Sequence, residues 1–127
     1  MKGEGWKMRP HENLEVWKKS IDFVIKVYRI TNTFPVEEKF GLVNQLRRAS
    51  VSVAVNIAEG AARQTNKEFV NFLYITRGSL SEIETELVIS RKLGFLSDQD
   101  FEMLALEIDA ISRMLSGLIK RLRSNQT

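Results

Sequence analysis

Few side chains in this chain could carry out chemistry, and an acidic run is the first candidate. Glu82, Glu84 and Glu86 could hold a metal ion or act as acid and base, but helical spacing puts Glu82 and Glu86 on one face and Glu84 on another. We interpret the run as a solvated helix face, or as partners for arginines of a neighbouring helix. The single histidine, His11, lies outside the predicted helices.

Nucleophilic and metal sites find no better support. The chain has no cysteine, hence no disulfide, thiolate zinc site or cysteine nucleophile. Ser50, Ser52 and Ser79 lack a histidine base, and no glycine-rich loop could hold a phosphate. A di-metal bundle site needs inward-facing Glu and Glu-x-x-His pairs, which the predicted seams lack. We therefore expect no enzyme, no catalytic residue, no metal and no cofactor.

The basic residues indicate a different kind of function. The 127 residues carry 19 Lys and Arg against 16 Asp and Glu, a net charge of +3 that does not require a nucleic-acid partner. Residues 1–63 are the more basic half. Any nucleic-acid binding should be electrostatic, indifferent to base sequence and carried by the cations of this half. The candidates are Lys18, Lys19, Lys26, Arg47, Arg48 and Arg63.

Two details of the basic residues stay open. Arg47 and Arg48 point about 100° apart on a helix, so one could pair with glutamates of the third helix while the other meets phosphate or a partner. A second cluster near the C-terminus has no acid among it, and we interpret it as a complement to the dipole of a last helical turn. Its members are Arg113, Lys120, Arg121 and Arg123.

Helices must position these residues. Between Leu46 and Arg63 the β-branched residues alternate as in a strand, but no partner strand exists elsewhere. No turn signal interrupts Gly41 to Gly60, and apolar or small residues step by four and three as on a helix. We therefore predict a helix there. Apolar seams and caps at Asn13, Gly60, Thr65, Gly94 and Ser97 complete an all-α, antiparallel up-down-up-down four-helix bundle.

The predicted bundle covers residues 13–124, after a flexible arm at 1–12. Its helices span about 13–31, 36–59, 66–93 and 98–123. Helix 1 has two apolar seams, and we assign the one through Leu14, Trp17, Ile21, Val24 and Tyr28 to the core. The second suggests contact with another subunit, the alternative being a wide core face. The interface candidates are Val16, Phe23, Val27 and Ile30, with Val51 and Val55 of helix 2.

Asn56 falls on the seam of helix 2. It is either a buried amide that sets helix register or a side chain left half exposed near Gly60. The chain also lacks an apolar run of about 18 residues and a signal-like N-terminus, so we expect a cytoplasmic protein with no membrane contact.

Several motifs together resemble the four-helix-bundle family of ribosomal-RNA intervening-sequence proteins, over about residues 11–96. The motifs are Asn-Leu-Glu-Val-Trp at 13–17, Phe-Pro at 34–35, Gln-Leu-Arg-Arg-Ala-Ser-Val-Ser at 45–52, Asn-Ile-Ala-Glu-Gly at 56–60, Phe-Leu at 72–73 and Gly-Ser-Leu-Ser-Glu at 78–82. Within them we expect structural roles for Asn56, Glu59, Gly60, Ser79 and Glu82.

The resemblance implies a bacterial protein with no known enzymatic activity that assembles as a homopentamer. A relative, the accessory protein of diversity-generating retroelements, forms a basic pentameric barrel that engages reverse transcriptase and nucleic acid. The resemblance therefore implies three kinds of partner: further copies of this chain, RNA, and proteins that handle nucleic acid. We expect a homo-oligomeric binding module for RNA or a ribonucleoprotein, and the alternative is a protein-only scaffold.

Overall fold

The computed structural model describes residues 9–125, and their regular structure is entirely helical. Four α-helices follow one another: α1, Glu15–Thr31; α2, Leu42–Ala61; α3, Asn66–Lys92; and α4, Asp98–Ser124. Short 3₁₀ turns at Pro10–Asn13 and Val36–Glu38 precede α1 and α2. The prediction of an all-α four-helix bundle is confirmed.

The four helices pack in a square. α1 lies against α2 and α4, and α3 lies against the same two helices, whereas the diagonal pairs do not approach each other within residues 9–125. The bundle therefore has four sides, each named here by its two helices. The α1–α2 side and the α3–α4 side face in opposite directions, which matters for the surfaces below.

The sequence predicts one seam for α3, through Leu73, Thr76, Leu80, Ile83, Leu87 and Ser90, and one for α4, through Leu104, Ile108, Ile111, Leu115 and Leu118, and both seams are buried in the core. Leu73, Leu80 and Ile83 of α3 are buried against apolar residues of the other three helices. Thr76 and Ser90 are also buried, and their hydroxyls donate to the carbonyls of Phe72 and Glu86 one turn earlier, at 3.1 and 2.7 Å. Polar side chains are tolerated in the core because their hydrogen bonds are satisfied within the helix.

Three predicted helix ends are confirmed. The hydroxyl of Thr65 accepts a hydrogen bond from the N–H of Glu68 at 3.2 Å, and that of Ser97 accepts one from the N–H of Asp100 at 3.1 Å. Gly94 ends α3 with φ +82°, the left-handed conformation that glycine adopts without strain. The N–H of the next residue, Phe95, then donates to Ser90 O at 2.9 Å.

Gly60 has a different role from the predicted one. α2 continues through it to Ala61, and Gly60 is buried. A Cβ there would lie 2.8 Å from both Phe69 Cδ1 and Phe72 Cβ of α3. The prediction of a left-handed cap is wrong because the four-residue link forces the end of α2 against the first turns of α3, and only glycine fits between them.

The beginnings of α1 and α2 also differ from the sequence-based bounds. Pro10 opens a 3₁₀ turn that holds Asn13, so Leu14 and not Asn13 is the N-cap of α1. The prediction of a flexible arm at 1–12 lies mostly outside the described residues, but Pro10–Asn13 is an ordered turn, and the His11 ring meets Trp17 edge-on at 4.7 Å. α2 begins at Leu42 because Gly41, with φ −106° and ψ −114°, breaks the helical path after the second 3₁₀ turn.

The two seams of α1 are exchanged relative to the prediction. Val16, Phe23 and Val27 are 4, 0 and 1% exposed and belong to the core of the single subunit, with Ile30 packed at its edge. Val16, Phe23 and Val27 are therefore wrong as interface candidates, whereas an interface role for the partly exposed Ile30 stays a prediction. Ile21 and Tyr28, assigned to the core, are exposed. Both seams are apolar and adjacent on the helix, and only packing against α2 and α4 chooses between them.

Candidate interaction surfaces

The α1–α2 side bears an apolar groove. It measures about 340 Å³, and its lining includes one polar side chain, His11, among apolar residues of the two helices. The lining is completed by Trp17, Ile21, Val24, Val51, Ala54, Val55 and Ala58. Val51 and Val55 are exposed, as an interface role would require, and that role stays a prediction.

A second, larger groove of about 680 Å³ continues the first one. Val51 and Val55 line both grooves, and the second runs past Tyr28 and Phe40 to Arg48. Phe40 is 85% exposed, an unusual position for a phenyl ring in a single soluble subunit. The two grooves together make one long surface along the α1–α2 side. It is apolar around Val51 and Val55, and the cations Lys39, Arg47 and Arg48 line its larger part.

The adjacent arginines of α2 differ in their contacts. Arg47 donates to Thr31 Oγ1 at 3.0 Å, to Tyr28 O at 3.2 Å and to Asn32 Oδ1 at 2.9 Å. It thereby ties α2 to the C-terminal end of α1, where a cation also complements the helix dipole. Arg48 is exposed and has no carboxylate within 4.0 Å among the described residues. Neither arginine forms the predicted pair with a glutamate of α3.

The candidate lysines of α1 are paired inside the subunit. Lys19 and Lys26 both bind Glu107 of α4, and Lys18 binds Glu15 at 3.3 Å on the exposed face. Burial alone would raise the pKa of Glu107, but hydrogen bonds and attraction from Lys26 and Lys19 outweigh it and lower that pKa. Three of the six candidate cations are therefore paired with a carboxylate of the same subunit.

Arg63 lies in the link between α2 and α3. Its guanidinium carbon is 4.7 Å from the centroid of the Phe72 ring, and the side chain is exposed. Of the cations predicted to bind nucleic acid, Arg48 and Arg63 keep their charge available. Arg48 lies on α2 and Arg63 just beyond its end, at a distance of about four helical turns along the chain.

The α3–α4 side carries a set of cations, three of which (Arg113, Lys120 and Arg123) we assigned from the sequence to the helix dipole. Arg77 of α3 donates to Ser116 Oγ of α4 at 2.8 Å, and Arg123 of α4 donates to the hydroxyl of Tyr74 of α3 at 3.0 Å. Helical spacing puts two further cations on the same face of α4. We define the α3–α4 cation face as Arg77, Arg113, Lys120 and Arg123.

The sequence holds a signal for this face. Residues 69–81 and 110–125 contain no aspartate or glutamate. The antiparallel bundle brings these two segments side by side, and together they form a surface without acidic residues. Neither segment by itself predicts this surface.

Polar side chains join α2 to α3 on the α2–α3 side. Ser52 and Ser79 share a hydrogen bond of 2.9 Å, and the Asn56 amide donates to Ser52 O at 2.9 Å and to Ser52 Oγ at 3.0 Å. Asn56 is half-buried, which agrees with the alternative of partial exposure. Glu59 is exposed, and Glu82 is exposed beside a small groove that it lines with Arg48.

Glu86 departs from the prediction of a solvated acidic face. It is 7% exposed, and its Oε1 has no hydrogen-bond partner in the part of the chain that the structure describes. Burial raises the pKa of Glu86 to about 7, and Glu82 one turn away adds to that rise. Glu82 and Glu86 are one turn apart, as the spacing predicts. The rotation of α3 about its own axis, which buries position 86 in the core, is decided by packing.

Two further features concern cofactors and membranes. Residues 9–125 contain no group of three or more His, Cys, Asp or Glu side chains that could hold a metal ion. No helix in the same part of the chain has the length and apolar character needed to cross a membrane.

Comparison with known proteins places these surfaces in context. The model of the family described as 23S rRNA-intervening sequence protein matches residues 12–117. A solved structure of a protein of unknown function from the S23 ribosomal protein family of Bacteroides thetaiotaomicron has the same fold, with a TM-score of 0.77 and 24% identity. The likeness covers 83% of this chain and 95% of that one. No functionally curated protein matches the chain.

Proposed function

The chain belongs to the family of 23S rRNA-intervening sequence proteins, and we propose that it is a non-enzymatic, homo-oligomeric binding module for RNA or a ribonucleoprotein. The observation that carries the oligomer is the apolar groove on the α1–α2 side. A second copy of the chain is its occupant, because soluble single subunits seldom leave a contiguous apolar surface of this kind uncovered.

The distribution of exposed apolar residues favours a closed ring over a two-fold dimer. A two-fold dimer joins one patch to itself, whereas a ring joins two different patches of neighbouring subunits. Besides the α1–α2 groove, α3 exposes Ile75, Ile89 and Leu93. Helical spacing puts these three on one stripe of α3, which borders the α2–α3 side. We propose that this stripe meets the groove of the next subunit, and the family resemblance suggests five subunits.

Association into a ring also strengthens the case for an RNA partner. A net charge of +3 per chain is modest, but each basic surface is repeated around the ring. Repeated cations attract a polyanion more strongly than one subunit does, and several contacts to one strand act together.

Light scattering after size exclusion tests the oligomer. We expect the wild type at micromolar concentration to have about five times the chain mass of 14.6 kDa. Ile21→Glu places a charge in the groove and should yield single subunits that keep the helical circular dichroism spectrum. Leu106→Glu is the matched control, because Leu106 is exposed on α4 away from both patches and its substitution should leave the mass unchanged.

Two results would contradict this proposal. A wild type that runs as one chain of 14.6 kDa would remove the ring and the repeated surface. An Ile21→Glu variant that keeps the wild-type mass would show that the α1–α2 groove is not the interface.

A further inference from the structure

We propose that the α3–α4 cation face is the surface that binds RNA, through the phosphate backbone of a single strand. The inference rests on the proposed function and names the surface that performs it. It replaces most of the basic candidates of the N-terminal half, since α1 uses its lysines in ion pairs and Arg47 binds the end of α1.

The way in which these cations are held carries the inference. Lys19 and Lys26 are both fixed by the Glu107 carboxylate, which neutralises one of their two positive charges and holds both ammonium groups against α4. Arg77 and Arg123 are instead fixed by neutral hydroxyls, those of Ser116 and Tyr74. No carboxylate lies within 4.0 Å of either guanidinium among residues 9–125. The two arginines are thus pre-positioned with their full charge, which suits an external anion.

Their remaining hydrogen-bond donors are also available. A guanidinium has five N–H groups in a planar fork, and a single hydroxyl acceptor leaves most of them free to bind two phosphate oxygens at once. Tyr74 is the positioning residue of this face, since its hydroxyl holds Arg123 and the guanidinium carbon of Arg77 is 5.6 Å from the centroid of its ring.

The shape of the face fits a linear polyanion. Arg113, Lys120 and Arg123 follow one another along the exposed flank of α4, over about 15 Å at 1.5 Å per residue. Arg77 extends the row onto α3. Because residues 69–81 and 110–125 contain no acid, no charge of opposite sign interrupts the row. A strand of RNA repeats its phosphates along a line, whereas an acidic peptide has no such fixed repeat, and this favours RNA.

The face also stays accessible in the proposed ring. It lies on the side of the bundle opposite the α1–α2 groove. Arg77 is also about 160° around α3 from Ile75 of the proposed stripe, so neither of the two ring contacts covers the face. Each subunit then contributes one copy of the face to the ring. A strand that touches several copies gains affinity from each of them.

Fluorescence anisotropy with a labelled 20-nucleotide oligouridine at several salt concentrations tests the inference. The variant Arg77→Gln/Lys120→Gln/Arg123→Gln removes three cations of the face. The control Lys18→Gln/Arg29→Gln/Lys92→Gln removes three exposed cations that lie outside both the face and the α1–α2 groove. Light scattering confirms that both variants keep the wild-type mass.

We expect the face variant to weaken binding on the order of 100-fold at 0.1 M salt and to lower the slope of log K against log salt by about 2 for each engaged subunit, at about 0.7 per phosphate. The control should change both quantities far less. Tyr74→Phe removes the hydroxyl but no charge, so it should weaken binding severalfold and leave the salt slope nearly unchanged. That pattern distinguishes positioning from charge.

Each of three other outcomes overturns the inference. If the wild type binds the oligouridine and both triple variants weaken it equally, binding is a general charge effect, and the proposed function stands without this site. If polyglutamate competes as well as unlabelled RNA, the face is a protein-binding surface. If an intact ring binds no RNA at low salt, RNA binding itself fails, and the protein is a scaffold for proteins only.

Discussion

Replacing Gly60 by alanine tests a close approach between α2 and α3. A Cβ at this position would lie 2.8 Å from Phe69 Cδ1 and from Phe72 Cβ. The Phe69 ring can turn away, but Phe72 Cβ is fixed to the backbone of α3, so the two helices must separate. Overpacking of this kind costs about 1 to 3 kcal/mol. The higher helix propensity of alanine offsets less than about 1 kcal/mol of this cost.

Gly117→Ala is the matched control. Gly117 lies inside α4, has no positive φ, and an added Cβ there meets no atom within 4 Å. This variant should gain about 1 kcal/mol from helix propensity alone. The free energies of unfolding of the two variants should therefore differ by about 1 to 4 kcal/mol, with opposite signs relative to the wild type.

Urea titration followed by circular dichroism measures both variants. All proteins are compared at one concentration, because subunit association makes apparent stability depend on it. Light scattering checks that the number of subunits is unchanged. If Gly60→Ala were as stable as Gly117→Ala, the two helices would have room for a methyl group, and the steric account of Gly60 would be refuted.

Two other substitutions test polar groups at the helix contacts. The pKa of Glu86 is raised from 4.5 to about 7 in the folded chain. The contribution of Glu86 to the free energy of unfolding should therefore be fully present below pH 4.5 and be lost as the pH rises to about 7. Glu86→Gln should then match the wild type at pH 4 but exceed it by about 1 to 3 kcal/mol at pH 8, and a gap that does not change with pH in denaturant titrations would contradict this. Asn56 binds Ser52 of its own helix, so Asn56→Leu should change the free energy of unfolding by at most about 1.5 kcal/mol. A larger loss together with a broadened mass distribution in light scattering would mean that the amide binds a neighbouring subunit and sets its register.

Local signals in the sequence were sufficient for the fold. The hydroxyls of Thr65 and Ser97 cap helices because their bonding partners lie three residues away, and Gly94 ends a helix through its own φ. The seams of α3 and α4 repeat at helical spacing, so they predicted which side of each helix is buried. Each of these features depends on residues close together in the chain, which is why the sequence predicts them.

The sequence could not decide which of two similar helix faces is buried. α1 has two apolar seams, and the positions of α2 and α4 decided that Phe23 enters the core and Ile21 stays outside. The same holds for Glu86, which has the spacing of a surface acid but lies where α3 turns toward the core. The local motif at Gly60 predicts a helix cap, because residues close in sequence do not reveal that α3 packs against this position.

The charged surfaces show the same division most clearly. The sequence alone determined how many cations the chain has and that segments 69–81 and 110–125 lack acids. Whether a cation keeps its charge for a ligand depends on which residue of a distant segment lies beside it. The tertiary structure set Glu107 beside Lys19 and Lys26, and it set the neutral hydroxyls of Ser116 and Tyr74 beside Arg77 and Arg123. Charge pairing acts over a few ångströms in space and not along the chain, so only the packed bundle could decide which cations remain unpaired.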